Sequence, residues 1–174
     1  IRISRTYVAA QRLYASRGHD GLPAGRYAST FASEPGRQNG LYWPARRGEK
    51  RSPLGDLVAH AAEEGRALGK AGAEAPPPFH GYHFKILTAQ GPSAPGGAYN
   101  YLLGKNMSRG FALVGWPSKY GDTGVMSFII SHEGDVFEKD LGPDSEKLAK
   151  AMTKFDPDSS WKEVKPPATA AASR

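Results

Sequence analysis

The opening residues carry a helical rhythm. Ile3, Tyr7, Ala10 and Tyr14 recur at spacings of four, three and four, which places them on one face of a helix over residues 1–16. Arg2, Arg5 and Arg12 fall on the opposite side, and Gly18 is a natural stop. A helix this short holds only when its apolar face is docked, on the chain's own sheet or on another segment. A second stripe, Leu54, Leu57, Val58 and Ala61, predicts a helix over 52–66. Ser52 suits its N-cap, and Pro53 suits the first helical position, where an N–H is not needed.

From Phe79 the period changes. Strands are predicted over 82–87, 111–116, 125–131 and 136–139, the last two joined by the tight turn Glu133-Gly134-Asp135. Consecutive strands with short turns make an antiparallel meander. Residues 95–103, between the first two strands, read as a short helix or an excursion. A last helix runs from 145 to about 154, with Asp144 or Ser145 at its start, Leu148, Met152 and Phe155 on one face, and Pro157 beyond its end. The expected fold class is α+β: an antiparallel four-stranded β-meander packed against an N-terminal helix, with a long irregular insertion and a small C-terminal helix. Residues 1–160 form a single domain, with a helical, loop-rich part (1–78) and the meander plus helix (79–160). Residues 161–174 are an extended tail.

The insertion is turn-rich. Asp20-Gly21, Pro35-Gly36 and Asn39-Gly40 are turn dipeptides within residues 17–53. In Gly40-Leu41-Tyr42-Trp43-Pro44, the aromatics Tyr42 and Trp43 form either a binding platform or a plug that pins the loop to the core. Residues 67–78 end in three prolines and read as a linker.

Composition sharpens this picture. The chain has 174 residues, with 21 Gly and 14 Pro, together roughly a fifth against an average of roughly 12 %. There are no cysteines, which excludes disulfides, thiolate zinc sites and cysteine nucleophiles. No apolar run approaches the ~18 residues of a membrane-spanning helix. Net charge is +6. Residues 1–75 carry +5 of it (12 basic against 7 acidic) and residues 76–174 carry +1 (11 against 10). The densest cluster, Arg46, Arg47, Lys50 and Arg51, suits an anionic contact. Interrupted by Glu49 and bounded by Pro44 and Pro53, it equally suits a solvated loop. The tail, with Pro166 and Pro167, is disordered by composition unless another subunit holds it. The chain starts at Ile1 with no apolar leader, which points to a processed or truncated N-terminus.

Candidate chemistry is sparse. His80 and His83 form an H-x-x-H pair, but positions three apart on a strand face opposite sides and do not share a metal. His132 sits beside Glu133 at a turn, and His60 lies on a helix surface. Ser127 and Ser131 lie within a strand, with no nucleophile elbow. Glu138 and Asp140 share a strand face and could act as acid and base, or simply solvate the sheet. The glycine-rich run from Gly91 to Gly97 lacks the phosphate-loop spacing. Tyr82, Phe84, Phe111 and Trp116 lack the basic residues of a stacking platform, so nucleic acid is not expected. No catalytic set, metal site or cofactor follows.

One resemblance covers much of the chain. It is carried by the run from Pro78 to Gly91 (PFHGYHFKILTAQG), then Pro95-Gly96-Gly97-Ala98-Tyr99, Gly110-Phe111-Ala112-Leu113-Val114, Tyr120-Gly121-Asp122-Thr123-Gly124-Val125-Met126 and Glu138-Lys139-Asp140-Leu141-Gly142. Tyr7-Val8-Ala9-Ala10-Gln11 and Gly40-Leu41-Tyr42-Trp43-Pro44 add to it. Over roughly residues 5–145 the chain resembles the C-terminal portion of the bacterial "domain of unknown function 2950" family. The resemblance implies an exported protein at the periplasmic or extracellular face of the envelope, in a family whose members usually carry a signal peptide and a further N-terminal domain. It implies no activity. Where many members carry an acidic, calcium-loop-like segment, this chain has Ser16-Arg17-Gly18-His19-Asp20-Gly21, one carboxylate against the roughly six oxygens that calcium takes. The sheet also resembles, more weakly, the C-terminal meander of type IV pilins, without their apolar N-terminal helix.

The expected function is a non-catalytic accessory or structural subunit of a larger envelope or membrane-associated complex. Its expected partners are other protein subunits or a membrane-embedded complex, bound through loops and tail: Tyr42, Trp43, Arg46, Arg47, Lys50, Arg51, Pro166 and Pro167. The rival is an envelope hydrolase using His80, His83, Glu138 or Asp140.

Overall fold

The computed structural model describes residues 1–45, 48, 51–55 and 78–165. Among these the order is α1 (Arg2–Ala15), β1 (Tyr82–Leu87), β2 (Ala89–Gln90), β3 (Tyr99–Asn100), β4 (Leu102–Leu103), β5 (Asn106–Met107), β6 (Ala112–Pro117), β7 (Met126–Ser131), β8 (Val136–Asp140), α2 (Ser145–Ala151), β9 (Lys154–Phe155) and β10 (Lys162–Glu163). The fold is α+β, with the expected meander at its centre. The sheet order is β1-β6-β7-β8-β10, antiparallel throughout. Beyond Ser52, Pro53, Leu54 and Gly55, the helix expected over 52–66 lies outside the described residues. So do Arg46, Arg47, Lys50, His60, Pro166 and Pro167.

The meander forms because its strands are short alternating or continuously apolar runs and its turns are preset. The register aligns Lys85, Val114, Ile129 and Phe137 in one row and Ile86, Leu113, Ile130 and Val136 in the next. Neighbouring rows face opposite sides of the sheet. Every residue of β6, an interior strand of the sheet, is buried, so it is covered on both faces. At the entry to β1, His80 and Gly81 both have positive φ (48° and 78°). Phe79 and Tyr82 exchange backbone bonds of 2.8 and 3.0 Å, the two-residue turn that matches strand twist.

The chain beyond residue 87 adds small pairings that period alone does not reveal. Residues 95–103 form the excursion, not the helix. There β2 pairs with β3 antiparallel and with β9 parallel, and β4 pairs with β5. The start of the tail also pairs: β10 adds a fifth strand on β8 of its own chain. Composition misses it because the apolar anchors, Trp161 and Val164, flank only two polar residues.

The C-terminal helix differs from expectation. It ends at Ala151, its buried positions are Ser145 and Ala149, and Leu148 is 47 % exposed. Two small residues four apart let the helix approach β6 closely. Phe155 reaches the core from β9 instead, with its ring 5.9 Å from that of Phe137. Lys85 closes the helix end by donating to the carbonyls of Lys150 (2.5 Å) and Met152 (2.7 Å).

Helix α1 docks by polar as well as apolar groups. Tyr7 is buried, packs edge-on against Phe111 (5.6 Å, 84°) and donates from its hydroxyl to the Ala112 carbonyl at 3.3 Å. Arg12 reaches the His132 carbonyl at 2.9 Å. Ile3 is only half-buried, and Tyr14 packs beneath the irregular segment, where it stacks on His19 at 4.0 Å. The helix therefore straddles sheet and loop.

Burial pushes the Tyr7 hydroxyl far above its ordinary value; burial and then the neighbouring Tyr99 and Glu133 do the same for Tyr101. An unfolded tyrosine titrates near 10. Above about pH 10 the unfolded chain loses phenolic protons that the fold retains, so stability falls as pH rises. The slope for each phenol reaches at most about 1.4 kcal/mol per pH unit, once the unfolded form is fully ionised. Urea midpoints measured from about pH 9.5 to 11.5 should fall steadily, and Tyr7→Phe should fall less steeply than the parent. Equal slopes would remove Tyr7 from this account.

Candidate functional site

Of the residues singled out as an enzyme set, His83 lies on the face of the sheet opposite Glu138 and Asp140. His83 lies in the row with Trp116, its ring 5.8 Å from the indole. Glu138 and Asp140 alternate with Lys139, which pairs with Ser127, and so face the other side of the sheet. Asp140 accepts from the Tyr120 hydroxyl (3.1 Å) and the Gly142 N–H (2.8 Å). His80 sits in the turn before β1 with its ring 4.3 Å from Phe79. The sheet thus separates the histidine of β1 from both carboxylates.

The loop aromatics divide. Trp43 is 6 % exposed and Tyr42 is half-buried. Leu41 is fully buried, and its carbonyl accepts the Leu54 N–H at 3.1 Å. Gly40 is the residue that lets this run lie flat: a Cβ there would meet the Ala32 carbon at 2.6 Å and the Ser33 nitrogen at 2.7 Å, both backbone. Arg51 is exposed.

A concavity of about 270 Å³ opens between the end of α1, the irregular segment and the β4–β5 hairpin. Its walls include Tyr14, His19 and Tyr27, and its polar lining includes Ser29, Asn39 and Asn106. Three cations and one carboxylate border it: Arg17, Arg26, Lys105 and Glu34.

Each wall is held from the core. Gln11 is fully buried on α1 and clamps the loop at Ala28. Its Oε1 accepts the Ala28 N–H (2.9 Å), and its Nε2 donates to the Ala28 carbonyl (2.8 Å). The flanking Tyr27 packs on Phe111 at 4.8 Å, and its N–H bonds to the Met107 carbonyl at 2.7 Å, which ties the loop to the hairpin. Asp20 and Gly21, with φ of 51° and 76°, make a two-residue turn closed by His19 and Leu22. His19 lies between Tyr14 and Trp43, and its Nε2 donates to the Tyr14 carbonyl at 3.0 Å, since a carbonyl only accepts. Tyr14 in turn donates to the Gln38 carbonyl at 2.8 Å.

The acidic groups nearby are already engaged. Asp20 accepts the Gln38 N–H at 3.0 Å and faces Arg37 at 3.2 Å. The single carboxylate of the calcium-loop-like stretch is thus committed to an arginine. Arg37 also pairs with Glu34 at 3.0 Å. Sequence reasoning misses the cations of this site because Arg17, Arg26 and Lys105 lie on three separate segments and share no spacing. Turn dipeptides mark the loops that carry them but not their convergence.

No curated protein and no solved structure matches the chain, and the likeness of the sheet to pilin meanders is left without support. Among the described residues, no helix is long and apolar enough to cross a membrane. The model of one family, described as "Protein of unknown function (DUF2950)", matches residues 1–164. The motifs of helix, loop and meander all fall inside that match, and the chain belongs to this family.

Proposed function

We propose that this protein is a non-catalytic accessory subunit of an envelope assembly. It works at the periplasmic or extracellular face and binds a protein partner through its irregular layer. One observation carries the reading: β6 is buried on both faces, so the sheet serves as a scaffold. The irregular layer is pinned to it by Gln11, Phe111 and Trp43. Loops fixed on a rigid scaffold are the usual carriers of recognition. The separation of His83 from Glu138 and Asp140 works against the hydrolase alternative.

A photo-crosslinking residue placed at the exposed loop position Pro35 should yield a discrete heavier adduct in the native host. The same residue at exposed Asp122, in the β6–β7 connection, should not. Recovery of the protein as a lone monomer that turns over an envelope substrate would reverse the reading.

A further inference from the structure

The concavity beside α1 goes beyond a protein contact, because its cations make no side-chain bond among the described residues. An arginine just after a helix ordinarily satisfies the last carbonyls. Here those carbonyls are all taken. Arg12 O accepts the Ser16 N–H (3.0 Å), Leu13 O the Ser16 hydroxyl (2.7 Å), Tyr14 O the Arg17 N–H (3.2 Å) and Ala15 O the Gly25 N–H (2.7 Å). The guanidinium of Arg17 makes no hydrogen bond or ion pair among the described residues. Arg26 and Lys105 likewise make no side-chain hydrogen bond or ion pair among the described residues, and both border the same space. The one lining carboxylate, Glu34, is held by Arg37 at 3.0 Å. Three like charges brought to one concavity by three segments make its field attractive to an anion.

We propose that this concavity binds a hydroxylated anion of monosaccharide size. Arg17, Arg26 and Lys105 hold its phosphate or carboxylate group, Ser29 and Asn106 take its hydroxyls, and the ring of Tyr27 forms an apolar wall. The volume of about 270 Å³ falls just below the roughly 300–1,000 Å³ of pockets for drug-sized ligands, which suits one sugar unit and not a chain. Charge-assisted bonds to phosphate or carboxylate supply the specificity.

Calorimetric titration at low salt tests this with glucose 6-phosphate, glucuronate and glucose. At least one anion should bind and glucose should not. Binding of the phosphate alone assigns a phosphorylated ligand; binding of glucuronate alone assigns a carboxylated one. The triple variant Arg17→Gln, Arg26→Gln, Lys105→Gln should keep its melting temperature and weaken binding by at least about tenfold. Neutralising Arg2, Arg5 and Lys119, which are exposed elsewhere, should change binding by less than about twofold. Absence of anion binding, equal binding of glucose, or the same loss in both triple variants would overturn the proposal. These results are independent of the Pro35 cross-link, which tests the protein partner alone.

Discussion

Phe111→Ala is expected to destabilise the fold by about 3–5 kcal/mol, the range for a large ring removed from a packed core. Phe111 is 1 % exposed at the entry to β6. Its ring meets Tyr7 of α1 at 5.6 Å, Tyr27 of the loop at 4.8 Å and His132 after β7 at 6.1 Å. Truncation therefore opens a cavity where helix, loop and sheet join, and no one of the three can collapse into it without dragging the others. For a chain of this size each kcal/mol moves the melting temperature by about 2–4 °C, so a drop of about 10–15 °C is expected by calorimetry. Phe111→Leu should recover more than half of it. A drop under about 3 °C for the alanine variant would show that the three elements do not share this core.

Gln11→Leu is expected to cost about 2–4 kcal/mol although it makes the helix more apolar. The substitution strips the Ala28 N–H and carbonyl of their partners and leaves Tyr7 without the Gln11 amide, which donates to its hydroxyl at 3.0 Å. These groups are buried and cannot turn to water. Gln11→Glu should be no milder at neutral pH, since a carboxylate accepts the Ala28 N–H but sets a second acceptor against the Ala28 carbonyl. The effect should be local before it is global. Amide exchange at Ala28, Ser29 and Thr30 should speed up well beyond that of β6 and β7. Uniform acceleration across the sheet would mean that Gln11 supports the whole fold and not the loop clamp. Because Tyr27 and Ser29 border the concavity, the clamp links a buried amide on α1 to the shape of the candidate site.

The meander was legible because four short alternating or continuously apolar segments are separated by turn residues. Tyr82–Leu87 emerges with the expected bounds, and Ala112–Pro117, Met126–Ser131 and Val136–Asp140 within one residue at each end. The last helix was less legible: Leu148, Met152 and Phe155 suggest an apolar face, yet Ser145 and Ala149 pack inward. Small residues carry little hydrophobic signal, although they are what permits close approach. The irregular segment was legible only as turns. Asp20-Gly21 marks its bend, but nothing in the spacing of Gln11 and Ala28 announces a clamp.

Local chemistry in the chain dictates which stretches are helical or extended, where they turn, that no thiol chemistry is available and that positive charge gathers in the first 75 residues. These properties depend on neighbours a few residues apart. Which charges meet does not. Arg17 and Arg26 are nine positions apart and Lys105 is far along the chain. Only the docking of α1 and the tie between Tyr27 and Met107 bring them around one space. In the same way, the pairing of strands decided that His83 and the carboxylates of Glu138 and Asp140 face opposite sides. Backbone period is a short-range property, whereas a site is a long-range coincidence of side chains set by packing.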